Sequence, residues 1–90
     1  MTESNNLPRV GRKVEVNGLG TLLCESSGNG AVSFVGRYND GIVAYSLPRD
    51  AVISTDAGVH FTQEPARKSY DFSSGGRYNQ LDRMLRSARM

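Results

Sequence analysis

The chain has 90 residues, is 38% hydrophobic, and carries 11 Lys/Arg against 9 Asp/Glu for a formal net charge of +2. That length admits one domain with a thin core, and that composition is too apolar for a chain disordered throughout. A lone cysteine, Cys24, excludes an internal disulfide and points to a reducing, cytoplasmic setting; no apolar run is long enough to span a bilayer, and the N-terminus lacks the basic and apolar parts of a signal peptide.

Residues 1–8 are polar and end in Leu7-Pro8, which predicts a flexible leader. Arg12 to Val16 alternates strictly and places Val14 and Val16 inward as a first strand. Asn17-Gly18 then forms a tight turn, because both residues tolerate positive φ. Leu19 to Cys24 is a second strand, and Gly20 within it predicts a bulge or a close backbone approach. Ser26 to Gly30 reads as a flexible hairpin loop. Ala31 to Val35 is a third strand with Val32 and Phe34 on one face, and Asp40-Gly41 turns the chain again. Ile42 to Leu47 is a fourth strand with Val43, Tyr45 and Leu47 inward, ended by Pro48. Ala51 to Ser54 and Val59 to Phe61 are short fifth and sixth strands. The stretch 9–61 therefore predicts an all-β fold, a small antiparallel barrel of five to six short strands.

From Thr62 the pattern changes. Residues 62–78 lack periodicity and contain Ser73-Ser74-Gly75-Gly76, which predicts a flexible basic segment. Over 79–90, Leu81, Met84, Leu85 and Ala88 recur at i, i+3, i+4 and i+7, the apolar face of an amphipathic helix. Asn79 is placed as its N-cap, Asp82 in the first turn, Arg86 and Arg89 in the last. A helix this short is marginal alone in water, so its stripe must fold onto its own barrel, a second copy or a partner. Charge is uneven: residues 1–60 hold five Lys/Arg against six Asp/Glu, and residues 61–90 hold six against three.

The chemistry-bearing residues are few. His60 sits between Val59 and Phe61 and alternates outward, as an edge-strand surface histidine does. Cys24 and His60 are too far apart in sequence and too few to form a closed metal set, so no metal or cofactor is expected. Gly18 and Gly20 are not followed by a helix pattern and make no phosphate loop. The carboxylates are scattered, with no pair suited to acid–base work. Tyr38 follows Arg37 and precedes the Asn39-Asp40-Gly41 turn, which suits a protein-binding or base-stacking surface. Tyr70, Phe72 and Tyr78 fit a docking segment, or a strap packed on the chain's own barrel.

Val10-Gly11-Arg12-Lys13-Val14-Glu15-Val16, with Gly30-Ala31-Val32-Ser33-Phe34-Val35-Gly36, resembles the opening of a CAP-Gly domain. The resemblance implies an SH3-like barrel and a family that binds acidic-aromatic C-terminal tails of tubulin and related proteins. The family's Gly-Lys-Asn-Asp-Gly stretch is absent here, so no binding residue carries over. The expected function is a non-enzymatic protein-interaction module. Its barrel offers a contact surface at Arg37, Tyr38 and Asp40. Its tail docks on a partner or forms a homo-oligomer through Tyr78, Leu81, Met84 and Leu85, with Arg83, Arg86 and Arg89 at the rim. The alternative is nucleic-acid binding by the basic tail and exposed tyrosines. A third reading is catalysis in a pore between subunits, as in a small plasmid-borne class of dihydrofolate reductase. No membrane partner is expected.

Overall fold

The computed structural model describes residues 9–28, 30–39, 41–71, 73 and 75–87. The leader 1–8 and the expected site, docking or stripe residues Asp40, Phe72, Ala88 and Arg89 lie outside the described residues. The fold is mostly β, with strands β1 (Lys13–Val16), β2 (Gly20–Gly28), β3 (Ala31–Tyr38), β4 (Gly41–Pro48), β5 (Val52–Thr55), β6 (Gly58–Phe61) and β7 (Ala66–Tyr70), then one helix, α1 (Gly76–Ser87). They form one sheet in the order β5-β6-β1-β2-β3-β4-β7. All neighbours are antiparallel except β1 and β6, which meet in parallel at Val16 and Val59.

Register and burial explain the shape. Pairing of Cys24 with Phe34, of Val32 with Leu47 and of Phe34 with Tyr45 puts alternate residues of β2, β3 and β4 on one face. There Val16, Leu22, Cys24, Val32, Phe34, Leu47, Ala51, Val52 and Val59 form a buried cluster. Phe61 of β6 lies three strand positions from Phe34, about 14 Å in a flat sheet, yet the ring centroids are 5.5 Å apart. The sheet is therefore strongly curled around this cluster. It stays open, because its end strands β5 and β7 do not pair with each other. Where a small antiparallel barrel of five to six strands is expected, the described residues form a seven-stranded sheet that is not closed.

Three local expectations are corrected. The strand β2 continues to Gly28, where a loop is expected from Ser26, because a bulge between Cys24 and Ser26 restores pairing with Ser33, Val32 and Ala31. Within 62–78, Ala66–Tyr70 forms β7 against β4. This strand is polar and exposed along most of its length, so it has no apolar alternation to betray it. The helix begins at Gly76 and not at residue 79, so Asn79 lies in its first turn, its N–H bonded to the Gly75 carbonyl at 3.1 Å, and is no cap.

The helix lies on the other face of the sheet. Leu81 is fully buried with Leu23, Val35 and Ile42, and Tyr78, Met84, Leu85, Ala44 and Tyr70 pack around them. This second cluster makes Ile42 a core residue, although alternation in β4 assigns only Val43, Tyr45 and Leu47 inward. Both faces of the central strands are covered, by the curl on one side and by α1 on the other. No helix among the described residues is long and apolar enough to cross a membrane.

Candidate functional site

Arg37 and Tyr38 are adjacent in sequence and part at once in space. Their pairings, Arg37 with Ile42 and Tyr38 with Gly41, send them to opposite faces of the sheet. Arg37 goes to the helix side, where its guanidinium pairs with Asp82. Arg86 holds the other oxygen of the same carboxylate at 3.1 Å, one helical turn away. The Arg37 hydrogen bond, assisted by Arg86, holds the Asp82 carboxyl below the usual carboxylate range. Arg77, at the start of α1, reaches Glu25 at 2.8 Å, and that hydrogen bond pushes its pKa up. Ser33 donates to the second Glu25 oxygen at 3.1 Å. Glu25 sits in the bulge between Cys24 and Ser26, with Cys24 before it in the core cluster and Leu23 on the helix side.

The tail residues expected at a partner surface therefore meet their own sheet. Leu81 is buried, Tyr78, Met84 and Leu85 are half-buried beneath the helix, and Arg83 and Arg86 stay on its exposed side. Of the three surfaces open to the stripe, the chain's own sheet is the one it covers.

Tyr38 remains open on the other face, 56% exposed. The guanidinium of Arg67, on β7, lies over its ring at 5.3 Å from the centroid, a cation–π contact. Arg67 also borders a cleft of about 450 Å3 with Asn17, Gly18, Leu19, Tyr45, Phe61, Glu64 and Pro65. The cleft lies where the β1–β2 turn approaches the start of β7, so it opens beside the unclosed edge of the curled sheet. Leu19, Tyr45, Phe61 and Pro65 give it apolar walls; Glu64 and Arg67 give it one charge of each sign. Through Arg67 the Tyr38 ring and the cleft form one surface.

Sequence reasoning marks Tyr38 and misses Arg67, Pro65 and the cleft, because these come from a segment without periodicity. The available signal is Arg67-Lys68 in an otherwise polar run, since cations on a strand protect a free sheet edge. His60 stands exposed opposite Ile53 on the outer side of the β5–β6 hairpin, away from the buried Cys24. Burial first, and then Glu25, push the Cys24 thiol up, so it is held as the unreactive thiol. Among the described residues no group of three or more His, Cys, Asp or Glu is placed to hold a metal ion. Known protein families, curated proteins and solved structures give no match to this chain.

Proposed function

We propose that this protein is a non-enzymatic protein-interaction module of SH3-like architecture, whose barrel is left open at one seam. Its docking surface is Tyr38, Arg67 and the adjoining cleft lined by Leu19, Tyr45, Phe61 and Pro65. The observation that carries this reading is the exposed Tyr38 ring stacked under a guanidinium at the rim of an aromatic-walled cleft. Large aromatic and arginine side chains beside a concavity are the groups that dominate binding energy at protein surfaces. The helix serves this module by covering the second face of the sheet, and its Arg83 and Arg86 stay outside.

The partner is a protein segment that places an apolar side chain in the cleft. The test is capture from source-cell extract with the full chain, Tyr38→Ala and Arg67→Ala, each with and without nuclease. Proteins retained after nuclease and lost from both variants are the expected outcome. Capture abolished by nuclease, or unchanged in both variants, removes the reading.

A further inference from the structure

The opposite end of β1 carries a second surface. The Arg12 N–H donates to the Arg9 carbonyl at 3.1 Å, closing a turn through Val10 and Gly11. Gly11 has φ of 91°, a conformation that favours glycine and fixes the spacing of Arg9 and Arg12. Two further bonds tie this turn to β2, from the Gly11 N–H to the Cys24 carbonyl at 2.8 Å and from the Cys24 N–H to the Arg12 carbonyl at 3.0 Å. Arg9, Arg12 and Lys13 then line one notch with Val14. Lys13 also lines a second notch, with Arg37 and Leu85 among its walls. From there Arg37 connects through Asp82 to Arg86. Four of the five cations of this strip thus line the two notches, and the fifth, Arg86, joins Arg37 through their shared Asp82 carboxylate.

None of Arg9, Arg12 and Lys13 pairs with a carboxylate among the described residues. Asp82 engages one nitrogen of Arg37 and one of Arg86, whose side chains are 47% and 76% exposed. A guanidinium has five N–H donors, so both keep donors for a further anion, and Asp82 holds them in place. The small net charge of the chain conceals this strip, because Asp50, Asp56 and Glu64 lie in the β4–β7 part of the chain.

We infer that the strip Arg9, Arg12, Lys13, Arg37 and Arg86 binds the phosphodiester backbone of a nucleic acid. Four of the five cations are guanidinium groups, which bind phosphate oxygens through two parallel N–H bonds. No aromatic ring belongs to the strip, so bases are not stacked and recognition is of the backbone. The exposed apolar side chain beside it is Val10, far short of what anchors a protein in a lipid surface. This site goes beyond the protein-interaction reading and does not rest on it.

The test is fluorescence anisotropy of a fluorescein-labelled mixed-sequence duplex of about 20 bp, titrated at several KCl concentrations. With all five cations on phosphates, log K falls against log salt with a slope of about −4.5, a loss of about 500-fold between about 50 and 200 mM. The pair Arg12→Gln and Lys13→Gln reduces the slope by about two, and Arg49→Gln, off the strip, leaves it unchanged. Circular dichroism checks each fold; if Lys13→Gln disturbs it, Arg9→Gln with Arg12→Gln replaces the pair and reads the same change. Absence of binding at the lowest salt, a flat slope, or a slope untouched by these pairs overturns the inference. So does equally tight binding to phosphatidylserine vesicles or to polyglutamate at matched charge, which would assign the strip to another class of partner.

Discussion

Gly58 is held by two constraints at once. Its φ of 122° is one that other residues rarely adopt, and a Cβ there would come within 2.7 Å of the Glu15 carbonyl oxygen, on the strand beside it. Gly58→Ala should therefore cost about 2 kcal/mol or more in urea unfolding, because strain and a backbone clash add. Cys24 makes a second test. Its side chain is fully buried and its thiol is pushed up by burial, so iodoacetamide at pH 8 should label it at least about 100-fold more slowly than in urea. Rapid labelling of the folded protein would contradict the packing described. Asp82 gives a pH test with a definite sign. Its folded pKa is depressed, chiefly by Arg37, so its stabilising contribution is present above the ordinary carboxylate value and is lost as pH falls through the folded value. Unfolding curves across the acid range should show this limb in the wild type and a flatter one in Asp82→Asn.

The helix shows how much a local pattern can and cannot say. The spacing of Leu81, Met84 and Leu85 correctly marks an apolar face, and the shortness of the segment correctly demands a surface for it. The identity of that surface depends on Leu23, Val35 and Ile42, which lie on three different strands far back in the chain. Alternation assigns one inward face per strand, so it misses that β3 and β4 bury both. Leu81→Ala should destabilise the protein by about 2–4 kcal/mol, since a fully buried leucine leaves a cavity between helix and sheet. Thermal unfolding followed by circular dichroism would measure it, and a loss near zero would mean that the helix does not dock. The strand β7 illustrates the opposite failure. Its residues are chosen for an exposed edge and resemble loop, so its pairing with Ile42 to Ser46 could not be read from the segment itself.

At the scale of the molecule, the parallel contact of Val16 with Val59 is the long-range closure. It carries the β5–β6 hairpin back to β1 and lets Phe61 meet Phe34. Such non-local pairing must form before it is stabilised by the core, so refolding should take milliseconds to seconds. Stopped-flow tyrosine fluorescence would show it, and microsecond refolding would be inconsistent with this topology. The same closure separates two surfaces at the ends of β1, the cleft beside Leu19 and Arg67, and the cationic strip from Arg9 to Arg86. A net charge near neutrality hides the strip, because it averages over faces that the fold keeps apart.

The strand pattern from Lys13 to Phe61, the Asn17-Gly18 turn, the outward His60 and the apolar face of the helix follow from the sequence alone. Each depends on residues a few positions apart, where backbone geometry sets which side chains share a face. The open curl of the sheet, the destination of the helix, the split of Arg37 from Tyr38, and the joining of Tyr38 to Arg67 were decided by tertiary structure. Each of these joins residues distant in sequence, and what brings them together is the burial of two apolar faces, which no local pattern encodes.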